Sequence, residues 1–509
     1  MDLNERVKNT KRNIRMAMVS KIVRLIVNFI LRTIIIKTMG ALYLGLDTLF
    51  SSVLQILSLA ELGVGTAIVF SMYEPMANGD DRQLSALLAL YRKLYRRIGL
   101  AVVVFGLAVL PFLPMVIHSE IPGGLNLYVL YLLNLVNCAV SYFMFAYTGS
   151  LLQASQRRDL LSTIETVINV LTGVSRIAVL LIFRNYYAYT VILPLMTIAS
   201  NLLTWIVTRQ LFPRVRAEGT LPKEQVSDIS KRVAGSFIFK LSGTCRNSFD
   251  SLVLSGFLGL TALAKYNNYY YIINCIINFV TLVPNSMTSG IGHSMVKESV
   301  DKNYRDMLKF TMLYNWIVTI CASCLYCLYQ PFIIWWIGED WLFPKVDMAI
   351  FCLYFFCLTA NGIIQQYRQA AGLWWKDKFR YIVEAILNLV LDVVLVRYTG
   401  VTGVLLASVC TLVFINTFMG TTVVFREYFG RKRQLPFLAR LVFDGAVAAV
   451  CCFAADFFCS YVPLEGIPGI MVRAVIAVIV PMPVLLIASR PFSEFGDAMW
   501  FVKKRLLRR

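Results

Sequence analysis

The sequence predicts an all-α polytopic membrane protein of about 14 transmembrane helices, two parallel-repeat six-helix lobes followed by two C-terminal helices. Three observations carry that prediction. The 509 residues are 58% hydrophobic and only 15% charged, with a mean hydropathy of +0.67, whereas soluble domains hold roughly 45–50% apolar and about 25% charged residues. Unbroken apolar runs of about 20 residues recur from end to end, each long enough to cross a hydrocarbon core of about 30 Å. Basic residues also alternate between successive connections, as the positive-inside rule requires. The runs are continuous and do not alternate with period two, which excludes a transmembrane β-barrel.

The expected spans are 14–39, 45–73, 86–116, 125–153, 158–183, 187–212, 229–257, 260–290, 305–330, 346–370, 378–397, 402–426, 437–461 and 468–489, called spans 1 to 14 below. MDLNERVKNTKRNIR leads directly into span 1 without a small-residue cleavage pattern, so no secretory signal peptide is expected. Connections after even-numbered spans are charged: NGDDRQ, QRRD, FPRVRAEGTLPKEQVSDISKR, KESVDKNYRDMLK, WWKDKFR and REYFGRKRQ. Those after odd-numbered spans hold almost no basic residues, only Arg184, Lys345 and Arg397. Both termini are therefore expected in the cytoplasm. The longest outward loop, YQPFIIWWIGEDWLFPK, is rich in Trp and reads as an interfacial segment, leaving no room for a soluble catalytic domain.

The net charge of +20 follows from those loops and needs no nucleic-acid partner. Nearly all of the 12 cysteines lie inside apolar runs, so no disulfide framework is expected. Cys321, Cys324 and Cys327 in CASCLYC lack an accompanying His or fourth Cys and read as small membrane-helix residues, not as a metal site.

Sliding the chain against itself by 219 residues exposes a repeat. Lys21 meets Lys240, Asn28 meets Asn247, Gly40 meets Gly259, Leu44 meets Leu263, Tyr95 meets Tyr314, Glu165 meets Glu384 and Asn169 meets Asn388. Six crossings per copy preserve orientation, so the copies are related about an axis along the membrane normal. The expected organisation is an N-lobe over 1–212, a linker over 213–228, a C-lobe over 229–430, and spans 13 and 14 with a basic tail over 431–509.

Span 1, KIVRLIVNFILRTIIIKTMG, carries cations where an apolar helix is required. A cation at mid-bilayer costs roughly 2.5–3.5 kcal/mol on insertion scales. At about 100° per residue, Lys21, Arg24, Asn28 and Arg32 fall within an arc of about 80°. Lys37 lies on the far side, near the outer end, where it can snorkel. Such a ladder faces a bundle interior or a wet cavity; the weaker alternative is that Lys21 and Arg24 merely decorate the cytoplasmic end of the helix. Span 7 repeats it with Lys240, Asn247 and Ser251, while Arg246 and Asp250, four apart, either neutralise one another or gate. Span 8 sets Asn267, Tyr271, Asn274, Asn278, Thr281, Asn285 and Thr288 on one stripe, which either bonds helix to helix or lines a hydrated path for a hydroxyl-rich cargo. Glu61, Glu165 and Glu384 are further acidic candidates for coupling or gating; the last two also read as interlobe or helix-cap structure. Arg176 and Asp392 have no partner that the sequence can assign. Cations beside neutral amides suit an anionic, sugar-like cargo.

Two stretches, LGLDTLFSSVLQILSLAELGVGTAIVFSMYEPMANGD with LYRKLYRRIG, and NSFDSLVLSGFLGLTALAKYNNYYYI, resemble the Wzx-type polysaccharide flippases of the multidrug/oligosaccharidyl-lipid/polysaccharide exporter (MOP) superfamily. The resemblance implies transfer of undecaprenyl-pyrophosphate-linked oligosaccharide across the membrane by two alternating lobes, for surface polysaccharide synthesis. It implies that Arg24, Arg32 and Arg246 meet the pyrophosphate, that the stripe from Asn267 to Asn285 meets the glycan, and that spans 13 and 14 form a groove for the lipid tail. It implies drive by Na⁺, H⁺ or membrane potential, with Asp250 and Glu61 as ion-site candidates, no cofactor, and polysaccharide polymerase and glycosyltransferases as neighbours. A lipid II flippase is the nearest alternative, since its cargo also carries pyrophosphate. A multidrug exporter of the same fold would want acidic residues where span 1 is basic. A polytopic glycosyltransferase or polymerase would need catalytic residues on substantial outward loops, and direct ATP use would need a phosphate-cradling glycine loop; neither is seen, so no enzyme is expected.

Overall fold

The computed structural model describes residues 3–503 apart from 59–63, 118–120, 122 and 374–375, without the side chains of 3–11, 13, 14, 66, 116, 231, 232, 234–243, 245, 247 and 289. Glu61 thus lies outside the described residues, as do the side chains of Lys240 and Asn247. The described residues form helices joined by short turns, with no strand among them. Nine of these helices are long and apolar enough to cross a membrane, or ten with one bent pair included. This is an all-α, multi-pass membrane protein.

Two compact units, Met1–Ala264 and Lys265–Arg509, are described in turn. In the first, span 1 is the helix Leu3–Thr38, about 54 Å long at 1.5 Å per residue. It ends at Gly40, whose φ of 95° and ψ of 178° start the helix Ala41–Leu57 with no loop between. That backbone region is essentially reserved for glycine. Its repeat partner Gly259 has φ 83° and ψ 174°, breaking the 58-residue run Lys223–Val280 in the same way. The matched glycines of the two halves therefore hold one conformation, which supports the 219-residue register. Gly45 brings span 2 against the start of span 8: a Cβ there would lie 2.4 Å from the Leu260 carbonyl oxygen.

Span 4, expected to be unbroken, is bent by 48° between Leu127–Phe143 and Ala146–Ala154. Met144 is extended there (φ −91°, ψ −156°), and Phe145 stacks on Trp205 at 5.0 Å. Just past the break the hydroxyls of Thr148 and Ser150 donate to the carbonyls of Phe145 and Tyr147 at 2.7 Å each. Spans 5 and 6 are Arg158–Ile182 and Tyr186–Leu211. Residues 212–222 then form a strap before the helix resumes at Lys223, six residues earlier than the expected start of span 7.

In the second unit, the helix Val300–Ile337 runs through expected span 9 and carries a buried aromatic cluster of Tyr269, Tyr329, Phe343 and Phe351. Within that cluster the Tyr329 hydroxyl donates to the Tyr269 carbonyl at 3.0 Å, satisfying a group that lipid could not. Span 10 divides into Lys345–Thr359 and Gly362–Ala370. Span 12 contains π-helical turns at Thr411–Met419 and Phe425–Phe429. Span 14 restarts at Pro481, which lacks the amide hydrogen needed to continue Gly466–Ile479. A further helix, Glu494–Phe501, follows it. Span 13, Gln434–Ser460, is tied to span 9 by Asn315, which donates to Asp444 at 2.8 Å, while Arg440 reaches Asp444 at 3.0 Å and Glu494 at 3.5 Å.

Candidate functional site

Span 1 packs lengthwise on span 5. Near one end Arg12 pairs with Asp159 at 2.9 Å, farther along Arg24 reaches Glu165 at 3.4 Å, and Gly173 admits Val27, whose Cγ1 would lie 2.4 Å from an added Cβ. The remaining surface of span 1 has two characters. Ile22, Ile26 and Ile30 are exposed in an apolar row, 47%, 54% and 41% accessible. Arg24 and Asn28 are exposed on the opposite side, with half-buried Lys21 and Arg32 completing the ladder. A helix that bares isoleucines along one side and cations along the other separates lipid from something polar.

Arg24 and Glu165, assigned separately from sequence to cargo and to coupling, thus meet. Their side chains are 52% and 44% exposed, so solvent weakens the pair and leaves the guanidinium available to other anions. Above them, Arg176 has the partner that the sequence could not supply: it reaches Asp47 of span 2 at 3.2 Å and lies 3.6 Å over the Tyr189 ring. The Tyr186 hydroxyl adds a bond to the Tyr43 carbonyl at 3.2 Å. Arg246 and Asp250 are both buried on span 7, and Ser248 between them donates to Gln55 of span 2 at 3.2 Å.

In the second unit the asparagine stripe divides. At one end Asn285 and Thr288 bond to Gln366 of span 10, at 3.2 and 2.6 Å, which is helix-to-helix fastening. In the middle Asn274 is exposed and Asn278 turns back onto it, donating to the Asn274 carbonyl at 2.8 Å, while Asn267 and Tyr271 are half-buried.

Glu384 is buried, unlike its repeat partner Glu165. It accepts from Arg380 at 3.0 Å and from Asn416 at 3.3 Å. Arg380 and Arg368 both grip Asp377, at 2.8 Å each, with all four charged side chains nearly inaccessible. Asn416 sits in the π-helical stretch, which turns its amide toward Glu384 and Gln365. The expected reading missed Arg368, Asp377 and Arg380. QQYRQ inside an apolar span and Asp377–Arg380–Glu384 at three- and four-residue spacing were the available signals. Asp392 is buried one turn from Asn388, which donates to Ser408 at 3.3 Å. Among the described residues no group of three His, Cys, Asp or Glu side chains is arranged to hold a metal ion.

Residues 8–287, more than half of the chain, match the family described as Polysaccharide biosynthesis protein. The chain belongs to that family. The fold agrees, for this polysaccharide biosynthesis protein superposes on lipid II flippase MurJ in an inward closed conformation with a TM-score of 0.66, at 13% identity, over 94% of this chain and 99% of that one. An inward-facing multidrug resistance MATE family transporter of the MOP superfamily gives 0.60 at 16% identity, over 79% and 98%. A MOP superfamily transporter from Pyrococcus furiosus, described by the reversed polarity of its binding pocket, gives 0.52 at 14% identity, over 82% and 96%. At such identities the likeness is one of fold: the chain has the architecture of the MOP superfamily. No curated protein is matched in sequence.

Proposed function

We propose that this polysaccharide biosynthesis protein is a flippase. It moves undecaprenyl-pyrophosphate-linked oligosaccharide repeat units across the bacterial cytoplasmic membrane, with both termini in the cytoplasm and lobes 1–212 and 229–430 alternating in access. The observation that carries the reading is the two-sided exposure of span 1, where Arg24 and Asn28 are open on the side opposite the lipid-like isoleucines. A pyrophosphate carries the charge and the oxygen acceptors that such a ladder needs. The exposed Arg24–Glu165 pair can exchange its carboxylate for a phosphate at little expense, since exposed pairs are worth about 0–1 kcal/mol. The glycan would meet Asn267, Tyr271, Asn274 and Asn278, whose amides and hydroxyl substitute for water. Asp250, buried on the same helix as buried Arg246, is the coupling candidate whose burial makes it most sensitive to an arriving Na⁺ or H⁺. Polysaccharide polymerase and glycosyltransferases would work beside it.

Translocation of a lipid-pyrophosphate-linked oligosaccharide in proteoliposomes tests this, under pH, Na⁺ or voltage gradients, with Arg24→Ala, Arg32→Ala and Glu165→Gln compared after matching their melting temperatures. Losing one charge-assisted contact of about 1.5–3 kcal/mol should slow the arginine variants by at least about tenfold, with Glu165→Gln close to native. Native rates in both arginine variants would make the ladder structural. No native translocation under any gradient would remove this cargo. Running the assay with lipid II beside a surface-polysaccharide unit separates the two pyrophosphate cargoes.

A further inference from the structure

Span 3 is longer than a membrane needs. Ile98–Val116 is an unbroken apolar run of 19 residues, about 28 Å of helix, and alone spans the hydrocarbon. Residues 81–97 therefore project past it, and Arg92, Lys93, Arg96 and Arg97 lie at the level of the lipid headgroups. Among the described residues none of the four makes an ion pair or a side-chain hydrogen bond. They line a cavity of about 810 Å³ between span 3 and the strap that leads into span 7. Leu221 of the strap and Val226 and Ile229 of the helix after it close the far side, and among the described residues no acidic one lines it.

The strap is laid down on span 3 by few contacts. Val215 is buried, the Arg216 amide donates to Ser85 at 3.2 Å, and Gly219, at φ 96°, turns the chain past Ala86. The cationic lining also continues as an apolar track. Lys93, Arg97, Leu100, Val104 and Leu107 follow at helical spacing on one face, and the last three are 60%, 56% and 45% exposed. Cations at headgroup depth, with a bare aliphatic stripe running from them into the hydrocarbon, match a molecule that has a phosphate at one end and an acyl chain at the other.

We propose that this cavity binds the phosphodiester headgroup of an anionic phospholipid, whose acyl chain lies along Leu100–Leu107, and that the bound lipid holds the strap on span 3. Basic pockets at membrane interfaces take such headgroups through charge and depth together. The apolar track selects a lipid over a free phosphate ion. The site lies within the first unit and requires nothing of the transported cargo, so it stands or falls separately from the flippase reading.

Native mass spectrometry of the full chain, taken from nanodiscs of mixed phosphatidylglycerol and phosphatidylcholine, measures the retained lipid. Hydrogen exchange over residues 212–222 measures the strap. The native protein should retain phosphatidylglycerol preferentially and show slower strap exchange in its presence. At about fivefold per cation near a charged surface, K93Q/R96Q/R97Q together should lose more than tenfold of that retention and the strap protection with it. The control K302Q/R305Q, at the start of the helix Val300–Ile337, should keep both. Equal retention of the two lipids by the native protein overturns the proposal, as does undiminished retention in the triple variant at matched melting temperature. Equal loss in the control would reduce the effect to general surface charge and overturn it too. Strap protection by millimolar inorganic phosphate in detergent, equal to that by the lipid, would refute the lipid as occupant.

Discussion

Asp377 offers the sharpest test of what holds the second unit together. Its Oδ1 accepts from Arg380 Nε at 2.8 Å, its Oδ2 accepts from Arg368 Nη1 at 2.8 Å, and Arg380 Nη2 lies 2.8 Å from Oδ2 as an ion pair. The Asp377 side chain is fully inaccessible, and the two guanidiniums are 4% and 2% exposed. Asp377→Ala would leave two buried cations sharing Glu384 alone. Stranding one buried charge costs about 3–5 kcal/mol. For a unit of this size each kcal/mol moves the midpoint by roughly 2–4 °C, so a fall of about 6–20 °C is expected. Asp377→Asn keeps an acceptor but not the charge and should fall by roughly half as much. Adding Arg368→Met to Asp377→Ala removes one stranded cation and should restore part of the loss, giving a favourable coupling in the double-mutant cycle. Thermal unfolding in detergent, followed by intrinsic fluorescence and by size exclusion, reads all five proteins, native and Arg368→Met alone included. A midpoint for Asp377→Ala within about 2 °C of native, or simple addition of the two single losses, would refute the view that this turn is fastened by charge.

Three further outcomes follow from the same geometry. Gly45→Val should destabilise the first unit by roughly 1–3 kcal/mol, because the clash is with the Leu260 carbonyl and backbone cannot swing aside; a melt equal to native would contradict it. Arg176→Met should cost about 2–4 kcal/mol through the stranded Asp47, and Arg176→Lys should recover less than half, because an ammonium cannot lie flat over the Tyr189 ring; full recovery by lysine in the same melt would contradict the stacking. Arg433 holds the Asp301 carboxyl below the ordinary carboxylate range, through a hydrogen bond first and its charge second, so this contact should be intact above pH about 4 and open only as pH falls through that lowered value; carboxyl chemical shifts that titrate at the ordinary value, or unchanged by Arg433→Gln, would contradict it.

The helical, membrane-spanning character was legible in the sequence, and so was the matched pair of glycines, because both are written in one dimension. Apolar runs report burial in lipid whatever packs beside them, and the 219-residue offset survives in Gly40 and Gly259 because only glycine tolerates that backbone. The ladder on span 1 was visible for the same reason, since helical angle alone collects Lys21, Arg24, Asn28 and Arg32. What pairs with each charge was not visible. Arg176 and Asp47 stand 129 residues apart, and only the packing of span 5 beside span 2 brings them together. Glu165 and Glu384 matched in register yet differ in state, one exposed beside Arg24 and the other locked under Arg380, because burial depends on neighbours that a repeat does not copy. The asparagine stripe likewise looked uniform, whereas Gln366 claims only its far end.

The one-residue corners at Gly40 and Gly259 have a mechanical consequence. A connection of several residues can lengthen or shorten as the helices it joins slide, and so stores slack. A single glycine stores almost none: it can swivel, but it cannot let one helix advance along the other. Spans 1 and 2 can therefore pivot about the corner at Gly40 but cannot slide past one another. Any change in the reach between helices of the first unit has to be drawn from longer connections, and the eleven residues of the 212–222 strap are one such reserve. A ligand that fastens that strap would take up that slack.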